Sequence, residues 1–230
     1  MLLCKDRAKK FLRLILMLPT LLPLSACALS GGPVVGQVLE EGTYKPVPGA
    51  IVVVRWIGRT TSGSWFVEAR DVCYHVETVV TDEQGQYKTA AWTQEQSKDY
   101  TLKYHSFSVD AYKPGFGWPT KPSQNNDIVY LATFKGGTRE RLDYLGRVIS
   151  GTSCGGAAGE SLKYLYRLTR AVYEEARTVA QTADEKRRAE RFRELAEDTL
   201  VNRSKSTRYD ERGRLINVNP EDSFKPEELK

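Results

Sequence analysis

The stretch from Gly36 to Tyr87 constrains the fold more than any other part of the chain. It runs Gly36-Gln37-Val38-Leu39, then Pro46-Val47-Pro48-Gly49-Ala50-Ile51-Val52-Val53-Val54, then Thr78-Val79-Val80-Thr81-Asp82-Glu83-Gln84-Gly85-Gln86-Tyr87. A first strand ends in a polar turn, and a Pro-Val-Pro-Gly corner launches a buried strand. Asp82 to Gly85 then turn the chain into a partner strand. Gly49 and Gly85 suit turn conformations that side chains resist, and Pro48 fixes the corner. The expectation is a small antiparallel β-sandwich.

Ahead of it, Lys5, Arg7, Lys9, Lys10 and Arg13 lead into the apolar runs Leu14–Leu18 and Leu21–Leu24. Pro19 and Pro23 interrupt the run, which is too short to span a bilayer comfortably, so it reads as a secretory leader. It closes on Leu24-Ser25-Ala26-Cys27, which resembles the bacterial lipobox. The resemblance implies cleavage before Cys27, acylation of its thiol and attachment to a membrane through lipid, since several acyl chains anchor stably where one is marginal. Ala28, rather than Asp, after that cysteine resembles lipoproteins sorted to the outer membrane, facing the periplasm. Without residues 1–26 the chain keeps 29 Lys/Arg against 28 Asp/Glu, so the net charge falls from +5 to +1. The basic balance belongs to the leader and gives no argument for nucleic acid.

Further strands are expected at Val34–Leu39, Ala50–Ile57, Trp65–Thr81, Gln86–Trp92, Thr101–Tyr112 and Ile128–Phe134, rich in β-branched and aromatic residues. From Gly159 the period changes: Leu162, Leu165, Tyr166, Thr169, Val172, Tyr173 and Ala176 recur at helical spacing. Thr182 and Glu185 form a capping-box pattern, so a second helix from about Ala183 to Leu200 is expected, with Ala189, Phe192, Leu195 and Ala196 on one face. One long helix is the alternative. The organisation is therefore leader 1–26, tether 27–33, sandwich 34–135, linker 136–158, helical segment 159–200 and polar tail 201–230.

Gly36-x-Val38, Pro46-x-Pro48-Gly49-Ala50-x-Val52-x-Val54, Thr81-Asp82-x-x-Gly85-x-Tyr87 and Val109-x-Ala111-Tyr112-Lys113-Pro114-Gly115-Phe116 together resemble the carboxypeptidase regulatory-like domain. The resemblance covers roughly residues 33–135. It implies a transthyretin-like Greek-key sandwich and a non-catalytic accessory role.

Cys73 and Cys154 remain beside the anchor, and in an oxidising compartment the pair reads as a disulfide. It would close a loop of 82 residues, counting from 73 to 154 inclusive, worth about 4–5 kcal/mol by loop-closure entropy. The competing reading is a metal site, because Cys73, His75 and Glu77 alternate along one strand and so would share a face. Neither histidine has the spacing of a metallopeptidase, and no Gly-x-Ser-x-Gly elbow or P-loop is present. No enzyme and no cofactor is expected. The basic run Lys186-Arg187-Arg188 is interleaved with acids, as on a solvated helix face. The first functional expectation is a lipid-anchored envelope module that binds a protein partner or serves a structural role. The second is a glycan-binding module using exposed Phe116 and Trp118, with Tyr112 beside them. A metal-dependent hydrolase is the third.

Overall fold

The computed structural model describes residues 28–61, 71–95, 101–120, 127–154, 159–204, 208–209 and 215–216. In chain order these form β1 (Ala28–Gly31), β2 (Val35–Glu40), β3 (Ile51–Thr61), β4 (Asp71–Val80), β5 (Gln86–Lys88), β6 (Trp92–Glu95), β7 (Thr101–Tyr112), β8 (Phe116–Gly117) and β9 (Ile128–Thr133). Then come α1 (Thr138–Thr152), α2 (Gly159–Val179) and α3 (Ala183–Ser204), followed by the short pair β10 (Arg208–Tyr209) and β11 (Leu215–Ile216). The architecture is β-rich with a helical C-terminal segment.

One sheet has the order β5-β2-β9-β8 and another β4-β3-β7, while β1 pairs with β6 alone. The β2–β9 pairing is parallel; the others are antiparallel. The start of β3 is buried on both sides, which is why Ile51–Val54 is a continuous apolar run rather than an alternation. Val52, Val54 and Trp56 join Val38, Tyr87, Trp92 and Leu131 in a core shared between the sheets. Ile51 and Val53 turn the other way and join Val76, Tyr112, Leu142, Leu145, Leu168 and Val172 in a core shared with the helices. The β4-β3-β7 sheet is therefore the middle layer.

The corner between β2 and β3 is stitched by Thr81. Its hydroxyl accepts from the Ala50 amide at 2.8 Å and donates to the Val47 carbonyl at 2.7 Å. Asp82 closes the β4–β5 turn by accepting from the Gln84 and Gln86 amides at 3.0 and 2.8 Å. Gly85 sits at φ +70°, with the Val38 carbonyl oxygen 2.6 Å from where a Cβ would stand.

Three boundaries differ from the sequence reading. The tether begins with a strand: β1 pairs residue by residue with β6, from Ala28 opposite Glu95 to Gly31 opposite Trp92. Absence of a side chain at Gly31 permits this, because a Cβ there would meet the Trp92 indole nitrogen at 2.4 Å. The linker 136–158 contains α1, whose buried face is Arg141, Leu142, Tyr144, Leu145, Val148 and Thr152. The expected strand Gln86–Trp92 is divided, with β5 in one sheet and β6 paired to β1. Of the expected strand Trp65–Thr81, residues 65–70 lie outside the described residues.

The helical segment is two helices rather than one. Thr182 Oγ1 accepts from the Glu185 amide at 3.3 Å, and the Glu185 carboxylate accepts from the Thr182 and Gln181 amides at 2.9 and 3.0 Å. This capping box starts α3, and those bonds hold the Glu185 carboxyl below the usual carboxylate range. Ala189 and Phe192 are buried as expected. Leu195 is 44% exposed instead, and the Ala196 side chain is outside the described set.

Candidate functional site

Cys73 and Cys154 are joined by a disulfide, with Cα atoms 5.1 Å apart. The bond ties β4 to the segment just beyond α1. The metal reading of Cys73, His75 and Glu77 fails on local geometry. Trp56 lies opposite His75 and Ile57 opposite Cys73, so Tyr74 is an extra residue in a β-bulge. The bulge resets the alternation. Cys73 faces the helices, whereas His75 stacks on Trp92 at 3.9 Å between ring centroids, on the side between the sheets. Among the described residues no three His, Cys, Asp or Glu side chains are placed to hold a metal ion.

The expected ligand surface of Tyr112, Phe116 and Trp118 is largely a joint between sheet and helices. Tyr112 is 1% exposed, a correction to its expected place on a surface. Its hydroxyl donates to Glu175 Oε2 on α2 at 2.7 Å and lies 3.3 Å from the Ala171 carbonyl. Burial first, and the Glu175 carboxylate second, push that hydroxyl far above the ordinary tyrosine range. Arg141 of α1 grips Glu175 with two donors, Nε to Oε1 at 2.9 Å and Nη2 to Oε2 at 2.8 Å. The Gly115 amide adds a bond to Oε1 at 2.9 Å, and Arg141 Nη1 donates to the Phe116 carbonyl. The guanidinium also lies 4.6 Å from the Phe134 ring centroid and 4.7 Å from that of Tyr144. Burial pushes the Tyr144 hydroxyl up to about 12.

Phe116 is half-buried and packs against the intersheet core. Trp118 alone of the three is exposed, at 46%. Its ring meets Tyr144 edge-on at 5.1 Å, with the Arg147 guanidinium 5.6 Å from its centroid. Cys27 lies outside the described residues.

Sequence reasoning missed a cleft of about 300 Å³ at the other end of the sheets. One wall is β1; Trp56, Tyr74 and the His105–Phe107 segment of β7 supply the rest among the described residues. The Tyr74 hydroxyl and His105 Nδ1 are hydrogen-bonded at 3.1 Å, and their rings meet edge-on at 5.6 Å. Trp56 and Tyr74 both also contact Trp92 edge-on, at 5.4 and 5.9 Å. No carboxylate, ammonium or guanidinium lies among the described lining residues. The only foreshadowing in the sequence was the density of aromatics, since β1 had no strand signature.

No protein-family model, curated protein or solved structure matches this chain.

Proposed function

We propose that this protein is a lipid-anchored, non-enzymatic component of the bacterial cell envelope, held through Cys27 and serving as a protein-binding or structural accessory module. In this reading its sheets form a carboxypeptidase regulatory-like, transthyretin-type Greek-key sandwich, and the mature chain faces the periplasm from the outer membrane. The observation that carries the reading is the Cys73–Cys154 disulfide, which fixes the helical segment to the sheet. Such a bond persists in oxidising compartments and is rare in the cytosol, which agrees with the export signal ahead of Cys27. The buried Arg141–Glu175 pair adds a second fixed point between the same layers. A body stiffened in this way suits a spacer or docking platform.

The test has two parts. Intact mass of protein extracted from membranes is expected to show acyl groups on Cys27, lost in Cys27→Ser. Amine-reactive crosslinking in cells is expected to capture the same envelope protein in repeated experiments. An unacylated chain would remove the anchoring claim, and crosslinking that captures no protein reproducibly would remove the module claim. A glycan-binding role is favoured by the exposure of Trp118 alone, and unchanged retention of Trp118→Ala on envelope polysaccharide would end it.

A further inference from the structure

The cleft beside β1 has an apolar floor, is free of described charged side chains, and stands next to the residue proposed above to be acylated. We propose that it is a binding site for one saturated hydrocarbon chain, and that its occupant is an acyl chain carried by Cys27. This rests on the acylation in the proposed function and goes beyond it, because it gives the chain a seat in the protein as well as in the membrane.

The first support is position. Ala28 lines the cleft and Cys27 precedes it directly in sequence, so a chain on Cys27 is tethered one residue from the cleft wall. Nothing flexible intervenes, since β1 is paired along its length with β6 and Gly31 is pressed against Trp92 and Trp56. The second support is chemistry. A sugar would need several polar partners to replace its hydration, and a charged headgroup would need a counter-charge. The cleft offers Tyr74 and His105, already bonded to one another, and the small hydroxyls of Ser30 and Ser106. Leu29, Trp56 and Phe107 present carbon instead, and each methylene removed from water favours the bound state. The third support is size. Taking a methylene as about the volume of a water molecule, roughly 30 Å³, the ~300 Å³ cleft holds about ten methylenes. That is enough for the part of a bacterial acyl chain nearest its attachment. A lipoprotein crossing an aqueous compartment would shelter that part of the chain from water in transit.

The test feeds cells a palmitate analogue carrying a diazirine, irradiates them, and maps crosslinked peptides of the purified full chain by mass spectrometry. The expected result is crosslinks on peptides that contain Trp56, Tyr74 or Phe107. Ser106→Trp, which places an indole in the cleft from an exposed position, is expected to cut those crosslinks roughly tenfold or more while acylation of Cys27 persists. Ser30→Trp does the same from the opposite wall should Ser106→Trp fail to fold. Acylated protein whose crosslinks go only to membrane lipid overturns the inference and leaves the anchoring intact. Cleft crosslinks that survive in Cys27→Ser overturn the choice of occupant, because a free lipid then supplies the chain. A wild-type chain with no label on Cys27 overturns the anchoring and this inference together.

Discussion

Replacing Arg141 with methionine should destabilise the protein more than any surface change of equal size. The Arg141 and Glu175 side chains are 5% and 8% exposed. The Glu175 carboxylate accepts from Arg141 twice, from the Tyr112 hydroxyl and from the Gly115 amide. Methionine fills much of the space between the Phe134 and Tyr144 rings but leaves a buried anion with two neutral donors. Breaking a buried pair in this way costs about 3–5 kcal/mol, chiefly the desolvation of the group left behind. For a chain of this size each kcal/mol lowers Tm by roughly 2–4 °C, so a fall of about 6–20 °C is expected. Urea unfolding followed by far-UV circular dichroism and tryptophan fluorescence gives the free energy directly. The double variant Arg141→Met/Glu175→Met removes both charges and should be less destabilised than the sum of the singles, with a coupling of at least about 1 kcal/mol. A cost below about 1 kcal/mol for Arg141→Met, or strict additivity in the double variant, would refute the claim that this pair holds the helices on the sheet.

Three further outcomes follow from the same structure. Thr81→Val keeps the shape but orphans the Ala50 amide and the Val47 carbonyl, and should cost about 1–3 kcal/mol in chemical denaturation; a neutral effect would place the corner's stability elsewhere. Reducing Cys73–Cys154 should lower stability by about 4–5 kcal/mol, seen as a Tm that falls with reductant in the wild type and is insensitive to it in Cys73→Ser/Cys154→Ser. Burial pushes the Tyr87 and Tyr144 hydroxyls up to about 12 and Tyr112 higher still. Their neutral forms favour the folded state, so that contribution is complete below pH ~10 and fades as pH rises towards ~12. Phenolate absorbance should show a late-ionising fraction that shrinks in Tyr144→Phe, and its absence would contradict the burial.

How much of this was legible in the sequence depended on how local the cause was. The Gly36–Tyr87 module was readable because its turns are written in Pro48, Gly49, Asp82 and Gly85, beside the strands they connect. The break between α2 and α3 was equally local, through Thr182 and Glu185. The bulge at Tyr74 carries no glycine or proline to mark it, and one uncounted residue reversed the face assigned to Cys73. Helix α1 was hidden because its inward row includes Arg141, which reads as solvent-facing until Glu175, 34 residues away, is brought to it. Tyr112 was misread for the same reason, since its partner lies 63 residues further on. The cleft required β1 and β7 to be brought together, which no pattern within either strand announces.

The sulfur bridge also has a mechanical side. It closes residues 73–154 into a ring that holds most of β4, then β5 to β9 and all of α1. A force applied between the two ends of the chain travels along β1 to β3, crosses at Cys73 to Cys154 and leaves through α2, never loading the ring. With a sequence separation of 81 between the bridged positions and about 3.4 Å of reach per residue, the stretched molecule is roughly 270 Å shorter than its reduced form. Pulled from its ends, the oxidised protein extends only the strands that precede Cys73 and the helices α2 and α3 that follow Cys154.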